Sequence, residues 1–114
     1  MMYEIKKIAK IVDEVMTYFM FNYNCEALIE VKRSDHTAIM KFKFEPVRMG
    51  NDEFEKLQKR FCSVRQPELE SYYWQLAGET EEDNEISLVA MMCDNCEMKL
   101  SGTVLEMELK RKMK

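Results

Sequence analysis

The chain has 114 residues and a net charge of −4, with 46% hydrophobic and 33% charged residues. These values exclude a disordered chain and indicate a single domain, residues 1–114, because a chain of this length can bury a core of its own. The negative charge argues against nucleic acid as a partner, since that affinity depends on neutralising phosphates. Only three Gly and two Pro are present, which disfavours an all-β fold rich in tight turns.

The sequence predicts neither a signal peptide nor a membrane span. Its first residues lack the apolar segment of a signal peptide, and no run approaches the ~20 apolar residues that a transmembrane helix needs. We therefore expect a cytoplasmic protein that makes no membrane contact. In that compartment the four cysteines are expected to be free thiols.

The first predicted element is an amphipathic helix over about residues 2–21. Apolar residues at helical spacing predict its core-facing side: Ile5, Ile8, Val12, Val15 and Phe19, with Met16 beside them. Lysines and Asp13 occupy the other side. The helix ends at residues 22–24, because Asn tolerates the backbone geometry of a helix exit.

Residues 25–44 predict an antiparallel hairpin with one wet face. In both strands apolar residues alternate with charged ones: Ala27, Ile29 and Val31, then Ala38, Met40, Phe42 and Phe44. A polar turn at residues 33–36 joins the strands. His36, the single histidine, is predicted to be a turn residue rather than a catalytic base.

Two helices and an acidic loop are predicted in the middle of the chain. The first helix carries Phe54, Leu57 and Phe61 at core spacing and can be capped by Asn51 or Asp52. The second begins at Gln66-Pro67, because Pro suits the first helical turn, and Gly78 ends it. Five carboxylates follow at residues 79–85, and we interpret this stretch as a solvated loop.

The closing segment is predicted to be a short buried helix followed by a hairpin. The run at residues 86–93 suits a buried strand or a buried helix by its length. We predict a helix because Asn84 can cap it, Glu85 suits a helix N-terminus, and Ala, Leu and Met favour helices. Two alternating segments then turn at Ser101-Gly102, and the basic residues 110–114 are interpreted as a solvated tail.

The predicted order is α-β-β-α-α-α-β-β. Each predicted strand has one charged face, so helices can cover only the other face. The predicted fold class is therefore an α+β two-layer sandwich, a four-stranded sheet with helices on one side.

This order resembles the histidine-kinase-like (GHKL) ATPase domain, in the small form seen in anti-sigma-factor serine kinases. In that family the first helix carries a Glu, three residues and then an Asn, and a strand pair follows. The matching stretch here is residues 12–19, followed by 25–31. The family's last helix and hairpin resemble residues 85–94 and 102–109.

The resemblance also implies roles for single positions, and several depart from the family. Glu14 matches the general base, whereas Tyr18 stands where the family's Asn binds magnesium. Glu45 could replace the Asp that reads adenine, but most of the glycines that follow that Asp in the family are missing. The family's phosphate loop exposes backbone N–H groups, whereas the acidic residues 79–85 would repel a triphosphate.

These departures lead to one main hypothesis and two alternatives. The main hypothesis is a non-catalytic, GHKL-like regulatory or scaffolding protein that acts through protein contacts and needs no cofactor; a homodimer is left open. The first alternative is a divergent anti-sigma-type serine kinase that binds ATP with Mg, uses Glu14 as base and holds adenine with Glu45. The second is a thiol or metal protein using Cys93 and Cys96, although this Cys-x-x-Cys lies at a predicted helix end and lacks paired metal ligands.

Overall fold

The computed structural model describes residues 2–62, 68 and 89–113. The described helices and strands are, in chain order, α1 (Met2–Asn22), β1 (Glu26–Arg33), β2 (Thr37–Glu45), α2 (Asn51–Phe61), β3 (Asn95–Ser101) and β4 (Val104–Lys112). No helix among these residues is long and apolar enough to cross a membrane.

The described elements follow the order α-β-β-α-β-β, whereas the predicted order has two more helices between α2 and β3. The helix predicted from Gln66-Pro67 lies outside the described residues except for Glu68, which is helical, and the first part of the run at 86–93 also lies outside them. Residues 89–91 of that run are helical. The coarser prediction is confirmed, because the fold is α+β with an antiparallel four-stranded sheet.

The described strands lie in the order β1-β2-β4-β3, so the two hairpins meet along β2 and β4. One row across the sheet shows the register: Ile29 lies opposite Phe42, Phe42 opposite Met107, and Met107 opposite Met98. The predicted turn at Ser101-Gly102 is confirmed. Gly102 has a φ of 62°, in the left-handed region that glycine adopts without strain.

The two faces of the sheet differ as the alternation predicts. On one face, which we call the helix face, the central strands bury their apolar residues: Ala38, Met40, Phe42 and Phe44 from β2, then Leu105, Met107 and Leu109 from β4. The opposite face, which we call the charged face, carries Lys and Glu side chains from the alternate positions. Because successive strand residues point to opposite faces, one layer of helices is enough to complete the core.

Aromatic rings join α1, β2 and α2 on the helix face. The ring of Phe19 stacks on Phe44 with centroids 4.4 Å apart and on Phe61 at 6.0 Å. All three side chains are almost completely buried. Burying a phenylalanine contributes about 1.5–3 kcal/mol, so this stack is a main contact between the helices and the sheet.

The predicted solvated tail is wrong for Arg111 and Met113, which are both buried. β4 continues to Lys112, and Arg111 points to the helix face opposite Ala38. Its guanidinium donates three hydrogen bonds to the Glu4 carboxylate, at 2.9, 3.0 and 3.2 Å, and a fourth to the Met92 carbonyl at 2.6 Å. The planar guanidinium thus binds α1 and the segment before β3 to the end of β4.

Candidate functional site

The Glu14 carboxylate lies in the middle of α1 and is 6% exposed. Tyr18 lies one turn further along the same side of α1, and its ring packs edge-on against Phe61 of α2, with centroids 6.0 Å apart. This contact shows that Glu14 faces the side of α1 toward α2. A buried carboxylate is uncommon in helices, so Glu14 is a position of structural or chemical consequence.

Glu45 lies at the end of β2, is exposed, and belongs to the charged face. It stands opposite Glu26 in the sheet register. A cis peptide bond joins it to Pro46, and the next residue, Val47, is buried with its N–H bonded to the Thr103 carbonyl at 2.7 Å. The backbone after Glu45 therefore turns inward while its carboxylate stays in solvent.

The sheet separates the two residues that the kinase alternative requires to act together. Glu14 lies in the helix layer, and Glu45 lies on the opposite, charged face. Tyr18, at the position where the GHKL resemblance expects a magnesium ligand, packs against the rings of Phe19 and Phe61. In the described part of the chain Glu14 and Tyr18 pack in the helix layer, Glu45 is exposed on the charged face, and the three residues do not line a common cleft.

The acidic loop at residues 78–84 and the aromatic residues Tyr72, Tyr73 and Trp74 lie outside the described residues. The five carboxylates between Glu79 and Glu85 therefore remain a feature of the sequence alone. Their charge still disfavours a bound phosphate by simple repulsion.

The prediction of four free thiols is wrong, because Cys62 and Cys96 form a disulfide with Cα atoms 5.1 Å apart. The end of α2 lies beside β3, which brings together two cysteines separated by 34 positions, and sequence spacing gives no sign of that proximity. Cys25 and Cys93 are buried outside this bond, and burial raises the pKa of the Cys25 thiol. Among the described residues, no group of three or more His, Cys, Asp or Glu could hold a metal ion.

An open depression of about 350 Å³ lies on the charged face of β2, β4 and β3. Its polar lining is mixed in sign: Lys41, Lys99, Glu97, Glu106 and Glu108. Lys41 stands opposite Glu108, and Lys99 opposite Glu106, so the charges form cross-strand pairs. Such a surface is typical of a solvated sheet face.

One side of α1 exposes apolar residues that the sequence pattern assigned to the core or beside it. Ile5 is 46% exposed, Met16 38% and Met20 48%, and helical spacing places all three on one stripe with Ala9. The prediction of Ile5 as a core residue is therefore wrong. The apolar arc of α1 is wider than its contact with the sheet, and helical spacing alone does not show where that contact ends.

This stripe faces the edge of the sheet formed by β1. The opposite side of α1 makes the contacts to α2 and β4, through Tyr18 and Glu4. α1 packs on β1 and β2, so the stripe overhangs β1. On the same side of the sheet Val31 of β1 is 47% exposed. We call Ile5, Met16, Met20 and Val31 together the α1–β1 apolar surface.

A hydrogen bond from the Tyr23 hydroxyl to the Glu53 carboxylate, 2.8 Å long, joins the end of α1 to the start of α2. Burial, with the hydrogen bond and charge of Glu53, raises the pKa of Tyr23 above its usual value. Neither residue is distinctive in the sequence, and their 30-residue separation hides the contact. The pair joins α2 to α1 at the C-terminal end of α1.

Comparison of the sequence with models of known protein families gave no match, and comparison with curated proteins gave none either.

Proposed function

We propose that this protein is a non-catalytic regulatory or scaffolding protein that acts through protein–protein contacts on a GHKL-like layout. The observation that carries the proposal is the α1–β1 apolar surface. Large apolar side chains grouped on one side of a small protein mark a surface for a partner. Exposed methionines suit such a surface, because their flexible thioethers adapt to the partner's shape.

The positions of Glu14, Glu45 and Tyr18 support the proposed absence of catalysis. Glu14 and Glu45 lie on opposite sides of the sheet, so they offer no shared site for ATP. Tyr18 packs in an aromatic cluster with Phe19 and Phe61 and has no carboxamide with which to bind magnesium.

The test of this proposal is calorimetry of the protein with ATP and Mg²⁺, with Mg²⁺ alone as the control. We expect no binding heat at protein concentrations of tens of micromolar. A dissociation constant in the micromolar range would contradict the proposal and favour a nucleotide-dependent function.

The divergent serine kinase remains a second candidate, because a helix carries the buried carboxylate of Glu14. If the protein transfers phosphate from ATP to a partner, Glu14→Gln should abolish transfer, since an amide cannot accept the hydroxyl proton. Asp13→Asn is the matched control, because Asp13 is the neighbouring residue and is exposed. Equal transfer by wild type and Glu14→Gln would exclude Glu14 as the base.

The disulfide argues against the thiol or metal alternative, which requires Cys93 and Cys96 to act as a pair. Cys96 is bonded to Cys62 rather than to Cys93, so the Cys-x-x-Cys does not act as a dithiol. Mass spectrometry of the native protein should show one disulfide between Cys62 and Cys96 and no zinc. Stoichiometric zinc would revive this alternative.

A further inference from the structure

We propose that a second copy of this chain covers the α1–β1 apolar surface, with β1 of one protomer pairing antiparallel to β1 of its partner. The two four-stranded sheets then become one continuous sheet, and the two α1 helices pack side by side across the two-fold axis. This inference rests on the proposed function, in that it names the partner of the same surface.

The outer edge of β1 supplies the first observation. Among the described strands β1 pairs with β2 alone, so its other edge presents a row of backbone N–H and C=O groups over eight residues. A long edge of this kind is a template for another strand. β1 has no Pro and no bulge in its pairing with β2, either of which would block such pairing.

The helix face of the opposite edge strand, β3, is better covered. α2 packs over β3, Met98 is buried, and the disulfide from Cys62 crosses to Cys96 on this strand. In contrast, Val31 on the helix face of β1 is about half exposed, and Leu28 on its charged face is 70% exposed. Of the two edge strands, β1 therefore exposes the larger apolar side chains.

The charge pattern of β1 selects one register. A two-fold axis normal to the sheet, between the two β1 strands, requires residues on the same face to stand opposite each other. One residue of β1 must therefore stand opposite its own copy at the level of the axis. With Ile29 on the axis, Glu26 opposes Lys32 of the partner subunit, and this pair occurs twice. The same register places Ala27 opposite Val31 of the partner subunit on the helix face.

Neighbouring registers fit less well. An axis at Leu28 places Glu26 opposite Glu30 of the partner subunit, and an axis at Glu30 places that carboxylate opposite its own copy. Like charges directly opposite each other destabilise a strand pair. An axis at Val31 also sets Glu30 opposite Lys32 of the partner subunit, but it leaves only residues 29–33 paired and sets Ile29 against Arg33 of the partner subunit. The register centred on Ile29 is therefore the one that the sequence of β1 favours.

The helix layer agrees with this register. Near the end of α1, Phe19 stacks on Phe44, which stands opposite Ala27 near the start of β1. Near the start of α1, Glu4 binds Arg111. Arg111 stands opposite Ala38, and Ala38 stands opposite Arg33 at the end of β1. The middle of α1 is therefore level with the middle of β1. A two-fold axis there brings Ile5 near Met20 of the partner subunit and Ala9 near Met16 of the partner subunit.

The spacing of the helices is also suitable. α1 packs on both β1 and β2, so its axis lies roughly above the space between them. Neighbouring strands are about 4.8 Å apart, so pairing β1 with its copy would place the two α1 axes about 10 Å apart. Packed helices are typically about 8–10 Å apart.

The size of the contact suits a dimer. A helix of 21 residues is about 30 Å long, and the sheet and helix layers together are about 20 Å thick. This gives a flat area of roughly 600 Å² per protomer, and the corrugation of real side chains increases it toward the ~800 Å² of a stable interface.

A charge swap tests the register. By sedimentation or light scattering we expect the wild type to be a dimer, and Glu26→Lys and Lys32→Glu each to raise the dissociation constant at least tenfold, because each sets like charges opposite each other twice. The double variant should recover the wild-type affinity. An equimolar mixture of the two single variants should form a heterodimer, because both of its charge pairs are then complementary.

Glu97→Lys is the matched control. Glu97 is an exposed carboxylate on the charged face of the other edge strand and stands opposite Glu108, just as Glu26 stands opposite Glu45. It should leave the dimer unchanged. A dimer that Glu97→Lys disrupts and Glu26→Lys does not would overturn the proposal in favour of the β3 edge.

Cross-linking provides a second readout that does not depend on affinity. In the proposed register Ile29→Cys faces its own copy and should form an intermolecular disulfide under mild oxidation. Val31→Cys is the control, because its copy is four residues away along the strand, about 13 Å, beyond the reach of a disulfide. Equal cross-linking of both variants would overturn the register.

The remaining outcomes separate this proposal from the proposed function. A wild-type protein that stays monomeric at every concentration tested would overturn the dimer, while absence of ATP binding would leave the proposed function in place. A dimer of the expected register that binds ATP with micromolar affinity would support the dimer and overturn the non-catalytic function.

Discussion

The two edges of the sheet show how the same alternating pattern can give either a closed or an open border. At the β3 edge, α2 packs over the strand, Met98 is buried, and a disulfide fixes the contact. At the β1 edge, the overhanging side of α1 exposes Ile5, Met16 and Met20. In the sequence, both edge strands show apolar residues alternating with charged ones. The difference comes from how the helix beside each strand covers it, and it leaves the α1–β1 apolar surface exposed at the β1 edge.

The largest expected effect comes from breaking the aromatic contact between the two helices. Phe19→Ala should lower the free energy of unfolding by about 3–5 kcal/mol, because it leaves a cavity between Phe44 and Phe61. Phe21→Ala is the matched control on the same helix, since Phe21 is 86% exposed. Its effect should stay within about 0.5 kcal/mol in chemical denaturation. Similar losses for the two variants would contradict the assignment of covered and open sides on α1.

The next effect concerns the buried ion pair that anchors α1 on the closed side. Arg111→Ala should cost about 3–5 kcal/mol, toward the lower end because Glu4 keeps partial access to water once its partner is gone. Lys112→Ala, at the adjacent exposed position, should change stability little, because its backbone N–H still reaches the Asp94 carboxylate. Thermal or urea unfolding measures both, and equal losses would show that Arg111 is not specifically required.

The smallest expected effect on stability comes from the Tyr23–Glu53 hydrogen bond at the C-terminal end of α1. Tyr23→Phe removes the hydrogen bond to Glu53 and should cost about 0.5–1.5 kcal/mol at neutral pH. The raised pKa of Tyr23 means that the folded state favours the neutral phenol. The contribution is therefore complete below the usual tyrosine pKa of about 10 and declines as the pH rises above it.

Unfolding titrations from pH 8 to pH 11 give the readout for this pair. The stability difference between wild type and Tyr23→Phe should shrink as the pH rises. A difference that stays constant or grows over this range would contradict the role of Tyr23.

The sequence predicted the local elements and their faces well. The alternation in residues 27–44 correctly predicted the first hairpin, and the Ser101-Gly102 turn correctly placed the second. The core positions of β2 followed directly, because its period of two separates Phe42 and Phe44 from the lysines between them.

Long-range features were not predictable from the same patterns. The strand order, the Cys62–Cys96 disulfide and the Tyr23–Glu53 contact each depend on the tertiary packing of distant elements. Arg111 looked like part of a basic tail, because charge alone does not show that a buried carboxylate partner is available. The exposure of Ile5 was missed because helical spacing shows which residues share a side but not how far the neighbouring layer extends.

Among the described residues, two pairs of methionines differ in their access to solvent. Met40 and Met107 are shielded inside the sheet sandwich, whereas Met16 and Met20 reach solvent on the α1–β1 apolar surface. An oxidant such as peroxide therefore meets the surface thioethers first and converts them to polar sulfoxides. Oxidation would make that surface less apolar and so weaken the binding of a partner, while the buried methionines of the core stay reduced. Methionine sulfoxide reductases can reverse the change.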